Sequence, residues 1–377
     1  MTFVSLGVLE LAIQFNIYLI RGYPISFFSL KIDNETIKTV FLILSNDTII
    51  MKPPYDITPD ILRLIASIST KIGEVNAKYL VKQSPTLRKQ NQIKTIHSSL
   101  SIEGNTLSES QITAILENKR VIGHEKDIVE VINALEVYKK IRSFKYHSNK
   151  DFLKAHQMLM KGLVENPGKY RTKGVGIVKG TQVEHIAPPY ENLPFLMQDL
   201  FHYLKDTSEL TLIKSCVFHY EMEFIHPFMD GNGRMGRLWQ TIILMNEYPI
   251  FEFLPFESLI AKNQEAYYKA LSTSDKEGKS TAFIVYMLQI IEVSLTELLL
   301  NSNRKLNEIE RLELFLEQPI TVFSRKDYLN FFTELSTATA SRDLKNGILK
   351  GLITKEGDKK NTIYQKTATD SSPISLL

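Results

Sequence analysis

The densest chemistry in the chain lies in twelve consecutive residues: His226-Pro227-Phe228-Met229-Asp230-Gly231-Asn232-Gly233-Arg234-Met235-Gly236-Arg237. Gly231, Asn232 and Gly233 suit a tight turn. Two glycines there let backbone N–H groups converge on one point, which makes an anion-binding nest. A helix starting directly after the turn adds its positive N-terminal end. Arg234 and Arg237 are three apart, so they project from neighbouring positions of that helix. Two guanidinium groups beside a nest suit a polyphosphate better than a single carboxylate. Asp230 is a hard oxygen ligand placed for Mg2+ that bridges phosphate oxygens. His226 precedes the loop, and Pro227 biases it away from helical backbone. A neutral imidazole there can accept a proton from a hydroxyl nucleophile. Taken singly, a histidine packs, a glycine turn only turns and an arginine pair is solvated. Three phosphate-handling devices within so short a stretch point to one site.

Helices must hold that loop. The flanking runs Leu210 to Phe224 and Pro194 to Leu204 read as helices. Upstream, Thr58-Pro59 is an N-cap followed by proline at the first helical position. Ile61, Leu64, Ile65, Ile68 and Ile72 then recur at helical spacing. Further helices are expected over Pro85 to Ile102, from the capping box Ser108-Glu109-Ser110-Gln111, over Asp127 to Arg142, and over Phe152 to Val164. Between Tyr170 and Pro189, Gly174, Gly176 and Gly180 punctuate short β-prone runs, which predicts a hairpin.

The composition fits a globular protein of two or three domains. The chain has 377 residues, 44% hydrophobic and 23% charged. A formal charge of +3 gives no independent reason to expect nucleic acid or a membrane surface. A single cysteine, Cys216, excludes an internal disulfide and a multi-thiolate metal site, and fits a cytoplasmic protein. Residues Phe3 to Ile20 are apolar but lack a basic segment before them, and Glu10, Gln14 and Asn16 interrupt them. They read as strands or a packed helix rather than a membrane span or leader; Met51 as the true start is the other reading.

The motif resembles the signature of the Fic family, H-P-F-x-D/E-G-N-G-R-x-x-R, at every fixed position. The resemblance extends to His219-Tyr220 before it, and to Leu254-Pro255, Asn263 and Tyr267 to Leu271 after it. It covers most of residues 55 to 293. It implies a mainly α fold, a Fic-type helical bundle with a small β-hairpin flap, and it implies a protein adenylyltransferase. By that resemblance ATP is the AMP donor, and the acceptor is a Ser, Thr or Tyr hydroxyl of a target protein or of the chain itself. His226 is the general base and Asp230 holds Mg2+. Gly231, Asn232 and Gly233 cradle the α- and β-phosphates, Arg234 meets the β-phosphate and Arg237 the γ-phosphate. Phe228 is buried and anchors the loop. Tyr170-Arg171 and the hairpin before Pro188-Pro189, about Lys179 to Ile186, are similar to the family's flap, whose edge binds a target by strand addition.

Ser99-Leu100-Ser101-Ile102-Glu103-Gly104-Asn105 reads first as a plain helix end. It also resembles the family's inhibitory helix, S/T-x-x-x-E-G/N-N. That resemblance implies that Glu103 pairs with Arg237 where the γ-phosphate would sit, and that inhibitor and site share one chain.

Residues 1–50 are read as an extension, 51–112 as a helical segment carrying the inhibitory helix, 113–299 as the Fic core and 300–377 as a separate unit. In that last unit Ser336 to Leu344 followed by a charged hairpin looks like a winged helix-turn-helix. Residues 321 to 366 carry nine basic against five acidic side chains, so DNA is one candidate partner and a second copy of the chain another. No membrane partner is expected. Other phospho-transfers, AMP removal, and a DNA-binding regulator with the core as nucleotide sensor remain alternatives. A P-loop enzyme is disfavoured, because no G-x-x-x-x-G-K-[ST] occurs.

Overall fold

A computed structural model describes residues 52–79, 85–179, 182–205, 208–301, 306–333, 335–358 and 362–367. The readings made for residues 1–50 and for the flap tip at Gly180 and Thr181 fall outside them.

Helix α1 (Pro59–Tyr79) opens where the Ile61 N–H donates to Thr58 Oγ1 at 3.3 Å. It buries Ile61, Leu64, Ile68, Ile72 and Val75 along one face. Helix α2 (Pro85–Ile102) ends at Gly104, whose φ is +89°. Helix α3 (Glu109–Leu116) starts with the expected Ser108–Gln111 capping box. Helix α4 (Glu125–Lys139) begins two residues before the expected position and gives way to a short 3-10 turn at Ile141–Ser143. Helix α5 (Asn149–Leu159) also starts early, because Ser148 accepts the Asp151 N–H and caps it. Strands β1 (Gly176–Lys179) and β2 (Gln182–Ile186) form an antiparallel hairpin with a register shift between Ile177 and Val178.

Helices α6 (Leu193–Tyr203), α7 (Thr211–Ile225) and α8 (Asn232–Glu247) follow. Among the residues of α7 from Leu212 to Ile225, only Glu223 is not buried, as expected for a helix through the middle of a core. It packs against α8 across the twelve-residue motif. Phe152 joins the two. Its ring meets Phe218 of α7, Trp239 of α8 and Phe201 of α6 edge-on at 5.0–6.0 Å, and stacks on Phe228 of the loop at 5.5 Å. Helices α9 (Glu257–Lys262), α10 (Gln264–Glu277) and α11 (Thr281–Asn301) complete the bundle. By length and hydropathy Thr281–Leu300 is apolar enough to cross a membrane. In the fold its Phe283, Ile284, Met287, Leu288, Ile291 and Leu295 are buried, and it packs against α1 and α7.

A second core gathers Leu312, Phe315, Phe323, Tyr328, Leu344 and Ile353. It is built by α12 (Glu308–Leu316), β3 (Val322–Phe323), α13 (Arg325–Phe331), α14 (Thr337–Leu349), β4 (Ile353–Glu356) and β5 (Ile363–Lys366). The strands form one sheet in the order β3-β5-β4. A fork from Arg311 to both oxygens of the buried Asp343, at 2.7 and 2.8 Å, fastens α12 to α14. This unit lies against α2, where Arg88 pairs with Glu317.

Candidate active site

The site forms where α7 stops and α8 starts. His226 caps α7 in the left-handed region, at φ 49° and ψ 58°. The pre-proline position keeps it off helical backbone, as expected from sequence, but left-handed backbone costs a residue with a Cβ about 1–2 kcal/mol. Arg171 holds it there: its Nε donates to the His226 carbonyl at 2.8 Å, and its own N–H donates to the Pro227 carbonyl at 2.8 Å. The imidazole Nδ1 lies 3.2 Å from the Glu223 carbonyl. A carbonyl only accepts, so Nδ1 carries the proton in the neutral ring and Nε2 is the basic nitrogen.

The loop is stapled from inside. Phe228 is fully buried, its N–H donates to Asn232 Oδ1 and its carbonyl accepts from Asn232 Nδ2, both at 2.9 Å. The Asn232 side chain is therefore structural, and what it offers a ligand is its backbone N–H. His156 stacks on Phe228 with ring centroids 3.6 Å apart and planes within 8°. Its Nδ1 accepts from the Gly168 N–H at 2.8 Å, so Nε2 donates to the Asp230 carbonyl at 3.0 Å. Gly231, at φ +87°, caps α8; a Cβ there would lie 2.7 Å from Met160 Sδ. The first intrahelical bond of α8 is made by the Met235 N–H to the Gly231 carbonyl. The N–H groups of Asn232, Gly233 and Arg234 thus precede the ladder and present the positive helix end.

Both arginines lie on α8 and both are buried. Arg237 donates through Nη2 to Glu103 Oε1 at 2.7 Å and to the Ser99 carbonyl at 2.9 Å, and through Nε to Ser99 Oγ at 3.0 Å. Burial works against its charge, but Glu103, Tyr267 and Glu223 outweigh it and hold its pKa above the ordinary arginine value. Glu103 Oε1 would lie only 2.5 Å from a Cβ at position 233. The carboxylate therefore rests on the first turn of α8, and Gly233 permits that approach. Arg234 reaches Glu130 through Nη1 at 2.8 Å and Asp230 Oδ1 through Nη2 at 2.7 Å. Asp230 Oδ1 also accepts the Gly231 N–H at 2.6 Å, and its side chain is 47% exposed. No group of three or more His, Cys, Asp and Glu occurs among the described residues. One half-exposed carboxylate beside a helix N-terminus nevertheless fits Mg2+, which is usually held by one or two carboxylates and phosphate oxygens.

All eight residues singled out in the sequence meet at this one place. Two others, Glu130 and His156, were missed, and Arg171 was singled out only through its resemblance to the flap region. Glu130, buried on α4, links Arg234 to Asn105 Nδ2, which donates to it at 2.8 Å. Its signal was a carboxylate on the apolar face formed with Val131 and Ala134. His156 acts through the Asp230 carbonyl and the Gly168 N–H and left no pattern to find, whereas Arg171 was marked by resemblance but its bonds to backbone carbonyls were not.

The two buried histidines make acid stability testable. Desolvation lowers the pKa of His156 to about 4 and of His219 to about 3. The unfolded chain binds more protons at these rings below about pH 6.5, so stability falls as pH drops from there through the lowered values. For His219 this amounts to on the order of 2 kcal/mol between pH 6.5 and 4.5. Glu257, raised to about 8 by burial, contributes the opposite slope, so the informative measurement is a difference. Urea unfolding of His219→Gln should lose stability less steeply over that range than the parent does. Equal slopes would contradict the assignment.

The chain is similar to known proteins in both sequence and fold. A model of the Fic/DOC family matches residues 146–244. A protein adenylyltransferase Fic of Drosophila mojavensis is 29% identical over 225 residues, 55% of this chain and 41% of that protein. The Caenorhabditis elegans protein adenylyltransferase fic-1 is 30% identical over 213 residues, 53% of this chain and 40% of that protein. The chain thus spans about two-fifths of the length of these relatives. The crystal structure of a Fic family protein from Desulfovibrio desulfuricans G20 superposes with a TM-score of 0.64 at 37% identity, over 85% of this chain and 100% of the other. With a full motif, a matching family model and a relative aligned over its whole length, the chain belongs to the Fic family.

Proposed function

We propose that the chain is an autoinhibited protein adenylyltransferase that moves AMP from ATP to a side-chain hydroxyl. One observation carries the reading: an internal carboxylate, Glu103, rests on a helix N-terminus and a buried arginine, a few residues from a histidine with its basic nitrogen fixed. A site that attracts its own carboxylate is built for an anion. The ATP phosphates would lie on the N–H groups of Asn232, Gly233 and Arg234, with Arg234 on the β- and Arg237 on the γ-phosphate once Glu103 has moved away. Asp230 would hold Mg2+, which when bound neutralises phosphate charge. The target hydroxyl attacks the α-phosphorus. A new O–P bond forms, the bond from that phosphorus to the pyrophosphate oxygen breaks, and the hydroxyl proton passes to His226 Nε2. Catalysis is mainly positioning and charge stabilisation. Parallel incubations with α-labelled and γ-labelled ATP test the reaction type. AMP transfer leaves the α-label on protein and releases the γ-label in pyrophosphate; protein retaining the γ-label would make the chain a kinase instead.

The C-terminal unit supports a second, separate reading as a winged helix-turn-helix. Arg342 and Lys345 are exposed on α14, where they could meet DNA phosphates. Duplex binding that weakens steeply with salt is the expected signature.

A further inference from the structure

Arg171 is an unusual cation. It is 3% exposed, and among the described residues its guanidinium hydrogen bonds go to neutral backbone carbonyls. Burying a charge this way is costly unless the bonds are many and well placed. Two of them go to the end of α7: Nε to His226 at 2.8 Å and Nη2 to Ile225 at 3.3 Å. Both carbonyls lie at a helix C-terminus, beyond the last donors of the helix ladder, where a cation is favoured. The other two go to the two roots of the hairpin: Nη1 to Lys173, ahead of β1, at 2.9 Å, and Nη2 to Pro188, beyond β2, at 2.5 Å. Between those roots the Ala187 N–H donates to the Val175 carbonyl at 3.3 Å, so the hairpin is closed down to its base. One rigid fork therefore ties the strained backbone of His226 to the base of the flap.

We propose that Arg171 is a positioning residue that sets the register between His226 and the hairpin, so that a hydroxyl presented along the hairpin meets the basic nitrogen. This rests on the AMP-transfer reading and extends it to how base and target are aligned. The phosphates are held by other groups, namely the start of α8 and its two arginines. Losing Arg171 should therefore slow transfer without loosening ATP. Lysine keeps the charge but not the planar fork, and a single ammonium cannot span four carbonyls on three segments.

The test uses the full chain carrying Glu103→Gly, with and without Arg171→Lys and Arg171→Ala. ATP·Mg2+ binding is measured by calorimetry, and AMP transfer to protein by label incorporation with varied target. In Arg171→Lys, ATP affinity should stay within about threefold, while transfer falls on the order of tenfold with a raised KM for the target. Arg171→Ala, where it folds, should fall further still. Equal transfer in the Lys variant overturns the proposal. So does a loss of ATP affinity in step with transfer, because that marks a general structural role. If Glu103→Gly alone transfers nothing, the AMP-transfer reading has failed rather than the role of Arg171.

Discussion

Replacing Glu103 with glycine is expected to raise AMP transfer on the order of 100-fold. Under the proposed function the carboxylate and the γ-phosphate would compete for one guanidinium and one helix end. A partly buried Arg–carboxylate contact of this kind is worth about 2–3 kcal/mol, and each 1.4 kcal/mol is a factor of ten. The same substitution has a second consequence that an indirect effect would not produce. Arg237 is 1% exposed, and without Glu103 it keeps only Ser99 among its named hydrogen-bond partners. Removing one partner of a buried pair leaves an uncompensated charge. The variant should therefore melt lower than the parent without nucleotide, by roughly 4 °C for a loss of about 2 kcal/mol. Saturating ATP with Mg2+ should stabilise the variant more than the parent, because a phosphate then takes the carboxylate's place. Initial rates with α-labelled ATP and paired melting curves check both. A transfer rate within twofold of the parent would remove the case for inhibition by Glu103.

The nest, both arginines, Asp230 and His226 were legible in sequence because a proline-marked helix exit, a glycine turn and a helix start are local devices. The residues that build them are neighbours in the chain. Glu103 is more than a hundred positions away from Arg237, and a carboxylate at a helix end has no local meaning; only the resemblance to a family pattern linked the two. His156 was silent, and Arg171 was marked only by resemblance to the flap region, for a different reason. Both bind carbonyls, every residue offers a carbonyl, and no side-chain type on the other partner marks the contact. His226 illustrates how tertiary contacts finish what local bias begins. Pro227 excluded helical backbone, and the Arg171 fork then selected the left-handed region. Helix ends shifted where a cap went unread, as at Ser148. Helix α11 could equally have been taken for a membrane span on hydropathy alone; the partners it buries itself against, α1 and α7, are not visible in its own sequence.

Substituting His226 with alanine in the Glu103→Gly chain should abolish measurable transfer while leaving ATP bound. The imidazole Nδ1 donates to the Glu223 carbonyl on α7, whereas the backbone of His226 is fixed by Arg171 and by its own N–H to Met222 at 3.1 Å. Alanine retains the Cβ and every one of those backbone bonds, so the start of α8 stays where it is. What is lost is the proton acceptor. A positioned general base contributes typically 10²–10⁴-fold, and a serine, threonine or tyrosine hydroxyl is a weak nucleophile without one. The expected result is a fall of at least about 100-fold in label transferred, with ATP·Mg2+ affinity by calorimetry within about twofold. The two measurements separate the alternatives. Transfer and binding lost together would mean that the ring supports the loop rather than the reaction. Transfer retained would mean that the proton leaves by another route, and that the site works through charge stabilisation by α8 and its arginines alone.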